Sequence, residues 1–71
     1  MNEYSFQKGW FQVRQGESAA VRVRLQAALD AFTRQAFRDR LKGMVNHTAE
    51  QREAIERIFA EYGITDVWGF V

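Results

Sequence analysis

The chain contains no cysteine, no proline, one histidine, five isolated glycines and no long apolar run, and each absence removes a class of protein. Without cysteine there is no disulfide framework and no thiolate metal site, a composition that fits a reducing compartment. His47 has no second imidazole or thiolate to complete a metal site and reads as an exposed loop residue ahead of Thr48. No serine stands beside a histidine and an acid, so nucleophilic catalysis lacks its parts. The glycines occur singly, so no glycine-rich loop cradles a phosphate. The expectation is a protein that is not an enzyme, with no metal, no cofactor and no small-molecule substrate. The opening MNEYSFQKGW has no basic region leading into an apolar one, and no stretch approaches the roughly 20 apolar residues that span a bilayer. The expected location is therefore the cytoplasm, without a membrane partner.

What is present is a foldable composition. Of 71 residues, 46% are hydrophobic and 27% charged, the balance of one small globular domain spanning 1–71. A chain this short has a thin margin of stability, because its surface is large for its volume. Six Phe, two Trp and two Tyr must therefore supply most of the core. Net charge is only +1 but unevenly spread: residues 1–49 hold eight Lys/Arg against four Asp/Glu, and residues 50–71 hold two against five. The molecule is electrically polarised.

With no proline, the elements must be delimited by Gly, Ser, Thr and Asn. Over 4–14, Tyr4, Phe6 and Trp10 share one face of an extended chain, with Lys8 breaking the pattern and Gly9 marking a bend, which predicts a short strand. Gly16-Glu17-Ser18 supplies a turn, with Ser18 as N-cap of a helix over 18–32 whose apolar face is Val21, Leu25, Ala28, Leu29 and Phe32. Thr33 is placed to cap a second helix over 34–42, carrying the apolar stripe Ala36, Phe37 and Leu41, and Gly43 to end it. Thr48 and Gln51 have capping-box spacing at the start of a third helix over 48–62, with core residues Ala54, Ile55, Ile58, Phe59 and Tyr62 and a Schellman-type end at Gly63-Ile64. The tail 65–71 places Val67, Trp68, Phe70 and Val71 around Gly69, too apolar to be left in water. It should pack back on the domain, against the Phe6 to Val13 segment. The predicted fold is mainly α: a compact three-helix domain, with an optional small β element from its two termini.

Arg34, Arg38 and Lys42 recur at intervals of four, forming one slowly drifting cationic row on the second helix. Like charges at this spacing destabilise a helix by about 0.2–0.5 kcal/mol per pair, so the row makes most sense if an anion meets it. Arginine forks suit guanine edges and phosphates, and glutamine suits adenine. The plain alternative is a solvated face with Asp39 and the acids of the third helix as counterions. The acidic face Glu50, Glu53, Glu56 and Glu61 is most simply solvated and salt-bridged.

The segment RQAFRDRLKG over 34–43, a loop, and EAIERIFAEYGI over 53–64 resemble the second half of Cro/repressor-type helix-turn-helix domains of phage or mobile-element regulators; the likeness spans 19–64. It implies sequence-specific binding of duplex DNA and transcription regulation. In that pattern Ala27 is the small residue of the supporting helix, Ala31 stands in the turn and Phe37 is buried. Thr33, Arg34, Gln35, Arg38 and Lys42 face the groove; apart from that pattern, Arg22 and Arg24 are candidates for flanking phosphates, against the plainer reading of two solvated arginines on an amphipathic helix. The chain departs from the pattern in carrying Ala31 where the family favours glycine and Arg40 near an apolar position, and the segment before Ser18 reads as extended where the family has a helix. Two alternatives stand beside this reading: a protein-interaction or dimerisation module built on the apolar tail, with Trp68 as homodimer anchor, and a helix-turn-helix scaffold that has lost DNA binding. Trp10 and Trp68 as a stacking platform for single strands is weaker than their reading as core, since so short a chain cannot spare them.

Overall fold

The computed structural model describes residues 4–69. Among them are four α-helices, α1 (Gln7–Trp10), α2 (Ser18–Leu29), α3 (Arg34–Leu41) and α4 (Ala49–Ala60), one 3₁₀ turn (Gln15–Glu17) and no strand. The protein is mainly α, as the periodicities predict. No helix among the described residues is long and apolar enough to cross a membrane.

The segment expected as a strand over 4–14 instead forms the single helical turn α1 over Gln7–Trp10 with turns and irregular chain around it, and Lys8 explains why. A period of two would put Lys8 on the same face as Phe6 and Trp10, burying an unpaired ammonium. A helical turn keeps Phe6 and Trp10 together at i, i+4 and rotates Lys8 outward, where its Nζ lies 2.7 Å from Asp66 Oδ2. The buried Ser5 hydroxyl accepts from Gln7 N–H and donates to the Leu41 carbonyl at 2.8 Å. Phe6 N–H donates to the same carbonyl at 3.2 Å, so the start of α1 is tied to the end of α3. No exposed surface remains on Phe6, whose ring centroid lies 6.1 Å from those of Phe37 and Phe59 and 5.9 Å from that of His47. Burying such a side chain contributes roughly 1.5–3 kcal/mol.

Ser18 does not cap α2. The 3₁₀ turn runs straight into the helix, leaving Glu17 without the extended backbone a cap requires, and the Ser18 hydroxyl donates instead to the Gln15 carbonyl. The helix also stops at Leu29, three residues early, because Asp30 adopts the left-handed conformation (φ 53°) and Ala31 N–H closes onto the Gln26 carbonyl. That turn removes Phe32 from the predicted core stripe: Val21, Leu25 and Leu29 are buried against α4, whereas Phe32 is 66% exposed and Ala28, at the margin of the row, is exposed.

The later signals correspond to their sequence. Thr33 accepts from Ala36 N–H at 3.0 Å, the Thr48 and Gln51 side chains close a reciprocal capping box, and Gly43 and Gly63 take φ of 76° and 79°. Ile64 N–H reaches the Phe59 carbonyl with Ile64 buried, the Schellman closure with its apolar contact. In α4, Ile55, Ile58 and Phe59 are buried and Ala54 half-buried; the helix ends at Ala60, two residues short of the predicted end, and Tyr62 is half-buried in the turn that follows.

The tail packs on the N-terminal segment without forming a sheet. Gly9 N–H donates to the Val67 carbonyl at 2.9 Å and Gly69 N–H to that of Ser5 at 2.9 Å. Val67 is buried; Trp68 is half-buried, edge-on to Tyr4, and donates its indole N–H to Glu56. Both are thus occupied inside the domain. Phe70 and Val71 lie outside the described residues. A Cβ at Gly9 would stand 3.1 Å from Val67 Cα, so Gly9→Ala should lower stability by about 1 kcal/mol, its clash exceeding its gain in helix propensity. Urea unfolding of the two proteins checks this.

His47 is not the exposed loop residue its position suggests; it is buried between the rings of Phe6 and Trp68. Burial lowers its pKa below the ordinary 6.5, and the Arg40 guanidinium, 3.4 Å from Nδ1, lowers it further. Above pH 6.5 the ring is neutral folded or unfolded; below it the unfolded chain takes up a proton that the folded one refuses. Stability should therefore fall as pH drops from 6.5 toward the depressed folded pKa, a slope that His47→Gln should flatten in thermal melts.

Candidate nucleic-acid interface

Helix α3 is held by its buried residue Phe37, whose ring meets Phe6 edge-on and lies 5.4 Å, also edge-on, from Trp10. With Phe37 turned inward, the neighbouring positions Arg34 and Arg38, four apart, are left exposed. Across from them α2 contributes Arg22, whose guanidinium carbon lies 5.8 Å from the Trp10 ring centroid and 5.7 Å from that of Phe37. A guanidinium is weakly hydrated and stacks on aromatic faces, so this placement requires no carboxylate. Between α1, α2 and α3 runs an open groove of ≈ 520 Å³. Its cationic edge is Arg22, Arg34 and Arg38; its apolar walls are Trp10, Phe32, Phe37 and Leu41, with Gln26 as the remaining polar group. Among the described residues, no carboxylate forms an ion pair with any of the three arginines.

The structure therefore brings together three of the seven residues singled out in the sequence, Arg22, Arg34 and Arg38, and separates the rest. Arg24 points to the other side of α2 and pairs with Glu61 beyond the end of α4. That contact raises the Arg24 pKa and lowers that of Glu61, so both stay charged. Thr33 is exposed but its hydroxyl serves as the cap of α3. The Gln35 amide donates to Asp39 Oδ1 at 2.9 Å, so its recognition group is engaged along the helix. Lys42 is exposed at the C-cap, outside the groove lining. Of the positions on which the resemblance rests, Ala31 and Phe37 are buried and Ala27 is exposed; the left-handed residue is Asp30, one place before Ala31.

Trp10, Gln26 and Phe32 are groove residues that the sequence reading did not select. A signal for Phe32 was present: it precedes the cap Thr33 and stands five residues before Phe37, the spacing of a hydrophobic staple. Nothing comparable marks Gln26. Arg40, the departure noted above, belongs to the scaffold. Half-buried, it donates to the Asn46 carbonyl at 3.2 Å and to Gln51 Oε1 at 3.3 Å, fastening the 44–48 loop and the first turn of α4 to α3. No family model, curated protein or solved structure matches this chain.

Replacing Arg40 by Met should cost about 1–2 kcal/mol in chemical unfolding, because the Asn46 carbonyl and Gln51 Oε1 lose their donor, while leaving the amides of Arg22, Gln26, Phe32 and Arg34 unmoved.

Proposed function

We propose that the chain is a small duplex-DNA-binding domain of the transcription-regulator kind, working in the cytoplasm, with α3 as the element that meets the DNA. The observation that carries this reading is the gathering of Arg22, Arg34 and Arg38 on one face without a carboxylate partner among the described residues. Polyanions reward such a face, since each neutralised phosphate releases counterions. Eight residues of α3 make a rod about 12 Å long, comparable with the width of the major groove. A supporting helix α2, a four-residue connection and α3, with α4 packed behind α2, form an order that suits this use.

In this reading Arg34 and Arg38 contact base edges and phosphates, Arg22 holds a phosphate from the adjoining helix, and Lys42 adds a flanking contact. Arg24 has no part, being paired with Glu61. Gln35 contributes only if it leaves Asp39, so Gln35→Ala should weaken binding less than Arg38→Ala.

The test is an amide chemical-shift titration of the labelled domain with a mixed-sequence duplex, at low and at high salt. Shifts should concentrate on residues 33–42 and Arg22 and vanish at high salt, with a log–log salt slope of roughly −3 for three to four phosphate contacts. Arg38→Ala, at an exposed position, should keep the fold and lose about tenfold or more in affinity. A spectrum unmoved at low salt would overturn the reading.

A further inference from the structure

A row of arginines is enough to meet a phosphate backbone, yet the groove beside it contains more than charge. Phe32 stands 66% exposed at the edge shared with Arg34 and Arg38, although it immediately precedes a capped helix and a short chain has every reason to bury its aromatics. Trp10 and Phe37 are already covered on one side by the Arg22 guanidinium, so Phe32 is the groove's free aromatic face. Its surroundings are three cations and one amide, with no acidic residue in the lining. A bare phosphate would use the arginines and leave Phe32 in water. An uncharged aromatic would use Phe32 and leave the arginines unmet. The chemistry that satisfies both is a planar π-system joined to a phosphate.

We infer that this groove binds one unpaired nucleotide, its base stacked on Phe32 and its phosphate held by Arg34 and Arg38. The inference rests on the nucleic-acid reading of the same arginines and adds a preference within it: for a strand end or an unstacked base beside the duplex. Four considerations support it. The volume of ≈ 520 Å³ lies within the roughly 300–1,000 Å³ of small-molecule sites. Stacking is tolerant of base identity, so the groove requires no hydrogen-bond code. The Arg22 guanidinium, laid against Trp10 and Phe37, adds a second flat cationic surface against which a base can lie. Gln26 supplies the one neutral donor and acceptor for a base edge.

The experiment compares a blunt 12-base-pair duplex, the same duplex with a three-nucleotide single-stranded overhang, free dAMP and free O-phosphotyrosine. Affinity is measured by fluorescence polarisation for the labelled DNAs and by indole and amide shifts for the small ligands. The overhang should bind about tenfold or more tightly than the blunt duplex. Phe32→Ala, whose side chain is exposed and leaves the core intact, should abolish that gain and leave blunt-duplex affinity unchanged. The dAMP titration should move the Trp10 indole and the Phe32 amide. If the blunt duplex binds and the overhang adds nothing, the nucleotide site is overturned while the DNA reading stands. If only the overhang and dAMP bind, the nucleotide site stands and the duplex reading falls. Tighter binding of O-phosphotyrosine than of dAMP would assign the groove to a phosphorylated peptide and overturn the inference, and binding of none of the four would overturn both.

Discussion

The burial of Phe6 is the constraint on which the rest depends. Its ring touches aromatic partners from α3, from α4 and from the loop that carries His47, and its backbone N–H, with the Ser5 hydroxyl, closes on the last carbonyl of α3. A short N-terminal arm thus does for this domain what an additional long helix would do in a larger one. Because Phe6 and Trp10 fix the Phe37 ring, they also fix the rotation of α3 about its axis. That rotation decides which residues face water: with Phe37 inward, Arg34 and Arg38 point out on the side where α2 presents Arg22. The cationic face is a consequence of aromatic packing beside it: Phe37, about 60° and 100° around the helix from Arg34 and Arg38, forms the floor of the groove whose edge they make.

Local signals in the chain were enough to bound α3 and α4, because their caps are chemical and act within five or six residues, whereas α2 was placed by its apolar periodicity alone. Thr33, the Thr48–Gln51 box, Gly43 and Gly63 all function as their spacing implies. The N-terminal segment was not legible in the same way: Tyr4, Phe6 and Trp10 satisfy a period of two, while Phe6 and Trp10 equally satisfy i, i+4. The decision came from Lys8, which needs water and Asp66, a residue 58 positions away. The end of α2 failed for a subtler reason. Aspartate is one of the few side-chain-bearing residues that enter the left-handed region, so Asp30 was a readable stop over Ala31, but the apolar row continuing to Phe32 at helical spacing concealed it. That single residue sends Phe32 out of the core and into the groove.

The candidate site was legible as a row and illegible as a groove. Arg34 and Arg38 declare themselves by spacing on one helix. Arg22 and Arg24 look equivalent in sequence, but two residues on a helix are about 200° apart. Tertiary structure gives one of them the rings of Trp10 and Phe37 and the other the carboxylate of Glu61. No local rule separates them, since both partners come from elements far away in the chain.

The polarity of charge along the chain has a structural counterpart that bears on function. Three of the five acids in residues 50–71 are engaged where they stabilise the scaffold: Glu61 on Arg24, Glu56 on the Trp68 indole, Asp66 on Lys8. None of these contacts reaches the groove. Arg34 and Arg38 therefore bear their mutual repulsion without relief from a carboxylate, and Arg22 is stabilised by aromatic faces that leave its charge unneutralised. An anion arriving there has no ion pair to break and two arginines to relieve of repulsion, so its binding begins with a favourable term that a salt-bridged face of the same composition would lack. The same residues placed beside α4 would form a stabilised and inert surface; placed across from it, they remain open to an anion.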